Sequence, residues 1–174
     1  MKLIPEWFNH QYCLIAWPCN KDLYGDIINK ARDEVANVIN EIAKTERVIV
    51  LSNKEDINEI ENKTNLENID VIECKLDDSW MRDIAPIFYN EDKKLKSISF
   101  DFNGYGKYPD YVNDNKISKF ISNHLNIPTK NSDLVIEGGA ITYDDRKNLF
   151  STKNVLFNKN RKQKHSSEYI IKEL

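Results

Sequence analysis

Cysteine and histidine are scarce in this chain, with three of each in 174 residues. Cys13, Cys19 and Cys74 are odd in number and show no Cys-x-x-Cys spacing, which argues against a disulfide framework and a sulfur-ligated zinc site. They read as reduced thiols in or near the core. His10, His124 and His165 are scattered, none at ligand spacing from another His or a Cys, so neither a metal nor any other cofactor is expected. No run of about 18 apolar residues occurs, and no apolar segment marks the N-terminus as a secretion signal. Membrane insertion and secretion are therefore not indicated, and the cytoplasm is the expected compartment. An excess of one charge is also missing. Lys and Arg total 25 against 28 Asp and Glu, a net charge of −3, and no basic patch interleaves with aromatics, so neither nucleic acid nor an anionic membrane is an expected partner. What is present is an ordinary globular balance, 40% apolar and 30% charged residues, at a length that fits one domain with a sizeable core.

The pattern along the chain alternates strands with helices. Tyr12 to Trp17, closed by Pro18, reads as a first strand. Leu23, Ile27, Ala31, Val35, Val38, Ile39 and Ile42 recur at helical spacing and predict one long helix covering a sheet face. The β-branched run Arg47-Val48-Ile49-Val50-Leu51 fits a strand buried on both faces. Ser52 followed by Glu55 reads as a capping box for a short helix to about Lys63. Ile84 to Tyr89 and Leu95 to Phe102 predict two strands joined at Asn90–Lys94. A loop follows with Gly104, Gly106 and Pro109, then a helix capped by Asp114 and stopped by Pro128, and a strand at Leu134-Val135-Ile136. Ile141–Tyr143 and Leu149–Phe150 suggest another hairpin, and Ser166 opens a last helix. The order strand, strand, helix, strand is thus complete once and begun again. Tyr169, Ile170, Ile171 and Leu174 are apolar with no strand following to receive them, so the chain is expected to be an incomplete set of such units.

The stretch Asp77-Asp78-Ser79-Trp80-Met81-Arg82-Asp83-Ile84-Ala85-Pro86 compresses acidic residues, an indole and an Arg-Asp pair between two apolar runs. It reads as a connection between strands, where a rigid scaffold displays functional groups. A carboxylate beside an indole suits a planar cation, which stacks on the ring and donates two hydrogen bonds to the carboxylate. That points to a guanidinium. A plainer reading stands beside it: Trp80 as a core aromatic, Asp83 as a turn cap, and Arg82 paired with Asp77 or Asp78.

This stretch resembles the signature of the agmatine deiminase family, which includes the bacterial peptidylarginine deiminases. Further segments are similar in the same order. They are Pro5-Glu6-Trp7 with Ala16-Trp17-Pro18, then Phe102-Asn103-Gly104-Tyr105-Gly106-Lys107-Tyr108, Glu137-Gly138-Gly139, and Leu156-Phe157-Asn158-Lys159-Asn160-Arg161. Family proteins are roughly twice as long, so the likeness covers their N-terminal half. It implies an α/β fold: a partial pentein-type α/β propeller of ββαβ units, about half of a five-bladed whole, making residues 1–174 one incomplete deiminase domain. It also implies hydrolysis of agmatine to N-carbamoylputrescine and ammonia through a cysteine thiouronium intermediate, with peptidylarginine as the alternative substrate.

The resemblance implies site residues as well. Asp83 matches the carboxylate that grips the guanidinium, and Glu137 the acid that pairs with the catalytic histidine. Trp80 matches a pocket aromatic, and Asn103 and Gly104 a pocket loop in which Tyr105 replaces the more usual tryptophan. The family's His-x-Asp motif and Gly-rich cysteine segment have no match in this sequence. The chain is therefore expected to hold substrate without supplying the nucleophile, and to need a complementary half chain. A non-catalytic guanidinium-binding module and a decayed fragment are the alternatives, and unpaired strand edges favour homo-oligomerisation.

Overall fold

The computed structural model describes residues 2–174. Its strands are β1 (Lys2–Leu3), β2 (Tyr12–Ala16), β3 (Arg47–Ser52), β4 (Ile69–Glu73), β5 (Ile87–Glu91), β6 (Lys94–Asp101), β7 (Thr129–Val135), β8 (Thr142–Tyr143) and β9 (Leu149–Phe150). Its α-helices are α1 (Lys21–Tyr24), α2 (Ile28–Ala43), α3 (Ile57–Lys63), α4 (Met81–Ile84), α5 (Asp114–His124), α6 (Lys153–Leu156) and α7 (Ser167–Glu173). They form two compact units, one of residues 9–81 and one of residues 2–8 with 82–174.

The first unit is β-α-β-α-β, with β2, β3 and β4 parallel in that spatial order. Five consecutive residues of β3, Val48 to Ser52, are buried, as a central parallel strand covered on both faces requires. Trp17, Ile39, Val48, Val50 and Ile60 are fully buried at the centre of its core. The long helix expected from Leu23 to Ile42 is broken: Gly25, at φ 52° and ψ −135°, lies outside the helical region, and a 3-10 turn at Gly25–Ile27 separates α1 from α2. Leu23 and Ile27 are accordingly exposed, and the buried stripe is carried by Ala36, Ile39 and Ala43. The expected capping box is absent. Ser52 is still in β3, opposite Glu73, and its hydroxyl donates to the Asn53 carbonyl oxygen, so ladder pairing has outcompeted the cap.

The second unit holds a four-stranded sheet in the order β1-β5-β6-β7. Strands β5 and β6 are an antiparallel hairpin, and β7 joins β6 in parallel after α5, which completes one ββαβ unit. The hairpin turns at Asp92 and Lys93, both at positive φ, the backbone hand that matches strand twist in a two-residue connection. Ile117 and Ile121 are buried on α5, and Ile87, Ile98, Leu134, Ile136, Ile141 and Ile170 form the core. Ile170 reaches that core from α7, whose N-cap is Ser166: its hydroxyl accepts from the Tyr169 amide at 3.3 Å. Two boundaries differ from expectation. Helix α5 begins at Asp114 after Asn113 and ends at His124, ahead of Pro128, and the strand expected from Ile84 starts at Ile87 because residues 81–84 form α4.

Candidate active site

Asp83 lies on α4, half-buried. Both of its carboxylate oxygens accept a hydrogen bond: Oδ2 from the Tyr105 hydroxyl at 2.6 Å, and Oδ1 from the Gly139 amide at 3.0 Å. The approach depends on missing side chains. A Cβ on Gly139 would stand 2.2 Å from Asp83 Oδ1, and one on Gly138 would stand 2.3 Å from the Arg82 carbonyl oxygen, distances no real methyl tolerates. The two glycines after β7 therefore let the chain lie directly against α4. Asp83 and Gly138 also line a small cavity with Phe102, Asp114, Asn115 and Ser118. Arg82, the neighbour of Asp83, pairs with Glu6 at 2.5 Å.

Glu137 is buried and paired with the guanidinium of Arg161, Nη1 to Oε2 and Nη2 to Oε1, in a two-point fork. Arg161 is itself fixed, since its Nε donates to the Val155 carbonyl at 2.7 Å. Its own carbonyl oxygen accepts from Asn103 Nδ2 at 2.8 Å. Gly106 seals this contact, because a Cβ there would meet the Asn160 carbonyl oxygen at 1.8 Å. Asn103 Oδ1 is buried and finds no donor among the described residues.

The interactions close into a ring. It runs from Asp83 through Tyr105 and the chain to Asn103, across to Arg161, on to Glu137, and through Gly138 to Gly139 and back to Asp83. Asp83, Glu137, Asn103 and Gly104 thus belong to one network inside one compact unit. Trp80 belongs to the other unit. It is no core aromatic: 52% of it is exposed. Its indole N–H donates to Asp78 Oδ2 at 2.9 Å, while the Ser79 amide donates to Asp78 Oδ1 at 2.7 Å and the Ser79 hydroxyl meets the Tyr24 hydroxyl at 2.7 Å. Burial pushes the Asp78 carboxyl above its ordinary range, against the pull of the Ser79 and Trp80 hydrogen bonds.

Two members of the ring had no assigned role in the sequence reading. Tyr105 stood out only as a replacement for tryptophan, and Arg161 only as the end of a matching segment. Burial, with Glu46 nearby, pushes the Cys13 thiol up, the wrong direction for a nucleophile. Cys19 and Cys74 donate to the carbonyl oxygens of Leu76 and Lys75 at 3.7 and 3.8 Å.

A family model described as Porphyromonas-type peptidyl-arginine deiminase matches residues 2–174. A Mycoplasma capricolum protein provisionally named an agmatine deiminase is 36% identical over 177 residues, covering 97% of this chain and 48% of that protein. The agmatine deiminase of Medicago truncatula is 29% identical, over 97% of this chain and 49% of its own length. Among solved structures, the agmatine deiminase of Enterococcus faecalis superposes with a TM-score of 0.92 at 21% identity, covering 99% of this chain and 49% of that one. The chain therefore spans about half the length of the curated relatives it matches. Its fold is the expected one, about half of a pentein-type α/β propeller, with open sheets.

Proposed function

Because the chain belongs to the Porphyromonas-type peptidyl-arginine deiminase family, we propose that it forms the substrate-holding part of a cytoplasmic agmatine deiminase, which hydrolyses agmatine to N-carbamoylputrescine and ammonia on the way to putrescine. The observation that carries this reading is the fixed Asp83 carboxylate, held in plane by one donor on each oxygen. A carboxylate offers about four acceptor positions. Two are taken, and one on each oxygen is left for the paired N–H groups of a guanidinium.

Holding the guanidinium plane sets its carbon for in-line attack, which is where the orientation advantage arises. A thiolate adds to that carbon, a general acid gives a proton to the departing ammonia, and a thiouronium remains. Water, deprotonated by a base, then attacks the same carbon, expels the thiolate and leaves the urea product. Asp83 grips the guanidinium. Glu137, fixed by Arg161 through one contact on each oxygen, keeps acceptor capacity for the histidine it orients. Asn103 and Gly104 shape the pocket loop. The thiolate and the histidine come from outside residues 1–174, on a complementary half, so that residues 1–174 are one incomplete deiminase domain.

Calorimetry with agmatine is expected to show binding to the chain that disappears in Asp83→Ala. Ammonia release is expected only after a complementary half bearing His-x-Asp and the glycine-flanked cysteine is added. Equal heats from the wild type and Asp83→Ala would end the assignment of Asp83. No ammonia at any ratio of the two halves would leave a guanidinium-binding module. The family description itself favours a test of peptidylarginine in the same assay.

A further inference from the structure

Tyr105 occupies a backbone conformation that an aromatic residue rarely adopts. Gly104, Tyr105 and Gly106 lie at φ 61°, 60° and 68°, three left-handed residues in succession. Glycine enters this region freely, but a residue with a Cβ is strained there by roughly 1–2 kcal/mol. The flanking glycines form the turn without cost, yet its centre carries a large side chain. Strain of this kind persists only where the surroundings hold it in place. Here they do. The Tyr105 ring meets Phe102 edge-on at 5.2 Å between centroids and Tyr108 at 6.2 Å, so two aromatic neighbours aim it. The hydroxyl at its end reaches Asp83 Oδ2.

We propose that Tyr105 is a positioning residue for the Asp83 carboxylate: its hydroxyl, together with the Gly139 amide, fixes the carboxylate plane and leaves one acceptor position on each oxygen for a guanidinium. The ligand class rests on the function proposed above, whereas the positioning of Asp83 by Tyr105 does not. Without the hydroxyl, Asp83 keeps only the Gly139 contact and rotates about it, so the second guanidinium hydrogen bond is lost in part.

The test substitutes Tyr105→Phe, which keeps the ring and its edge contacts and deletes only the hydroxyl. Two measurements are made on the 174-residue chain: hydrogen exchange at the Gly139 amide without ligand, and agmatine affinity by calorimetry. A melting temperature close to that of the wild type establishes that packing is preserved; Tyr105→Leu, which also removes the aromatic contacts, marks the drop a packing loss produces. The expected result is faster exchange at Gly139 in Tyr105→Phe and agmatine affinity lower by roughly tenfold, the loss of one hydrogen bond to a charged acceptor. Combining Tyr105→Phe with Asp83→Asn is expected to weaken binding no further than Asp83→Asn alone, because the two act through one group. Unchanged Gly139 exchange in a well-folded Tyr105→Phe overturns the proposal. Absence of agmatine binding in the wild type overturns the guanidinium reading and leaves the Gly139 measurement to decide the role of Tyr105.

Discussion

Replacing Gly138 and Gly139 by alanine, one at a time, separates the packing of the corner around α4 from its proposed use as a binding group. A methyl on residue 138 meets the Arg82 carbonyl oxygen at 2.3 Å and the Ile87 side chain at 3.4 Å. The nearer atom is backbone, so α4 itself has to move. Overpacking of this sort costs about 1–3 kcal/mol, which lowers the Tm of a chain this long by roughly 2–12 °C. A methyl on residue 139 meets Asp83 Oδ1 at 2.2 Å. That atom ends a short side chain, which swings away more cheaply than a backbone carbonyl moves. The swing forfeits the Gly139 and Tyr105 hydrogen bonds, each contributing about 1.5–3 kcal/mol to a charged acceptor before water replaces it. Asp83 is half-buried, so water recovers much of this in stability but nothing in orientation. Gly139→Ala is therefore expected to melt above Gly138→Ala and yet bind agmatine at least about tenfold more weakly than the wild type. Differential scanning calorimetry and titration calorimetry on the same preparations decide it. Gly139→Ala binding agmatine as the wild type does, or melting below Gly138→Ala, would refute the close-approach argument.

Arg161→Met leaves Glu137 buried without its partner; the expected loss is about 3–5 kcal/mol in urea unfolding, and adding Glu137→Gln should restore part of it. At Asp78 the folded carboxyl is raised above its unfolded value by burial, so its contribution is present below the unfolded value and lost as pH rises through the folded one. The stability of the wild type relative to Asp78→Asn should accordingly fall from acid toward neutral pH in thermal melts; a flat difference would contradict the raised value. Cys13, with its thiol pushed up by burial and Glu46, should react with iodoacetamide in a Cys19→Ser, Cys74→Ser background far more slowly than the urea-unfolded chain at neutral pH. Equal rates would show that the thiol is neither shielded nor raised.

Periodicity and local chemistry made much of this fold legible. The β-branched run at Val48 to Leu51 told of a strand buried on both faces, and Glu137-Gly138-Gly139 told of a close backbone approach without telling what approaches. Where the capping box failed, a long-range partner decided. Ser52 has the spacing of a cap, but pairing with β4 claims it as a strand residue. Ile84 looks like the start of a strand until Met81–Ile84 coils into one helical turn. Arg161 lies 24 residues from Glu137 and Tyr105 lies 22 from Asp83, so no local pattern announces either contact. Both became visible only once the strand-end loops were in place.

That the ring closes within one compact unit bears on how the site is divided. Asp83, Tyr105, Asn103, Arg161, Glu137 and Gly139 all lie in the unit that holds residues 82–174, where these hydrogen bonds link them. Carboxylates positioned by such mutual contacts do not depend on a thiolate or an imidazole for their geometry, only for turnover. Binding and chemistry are then separable by construction. A guanidinium should be held by this chain with the same dependence on Asp83 and Tyr105 whether or not the nucleophile-bearing half is present. Adding that half should change the rate of ammonia release from nothing to measurable while leaving the ranking of the Asp83, Tyr105 and Gly139 variants in agmatine affinity as it was. If the ranking changed, the carboxylate would have to be positioned across both halves, and the ring would be a packing feature of the isolated chain alone.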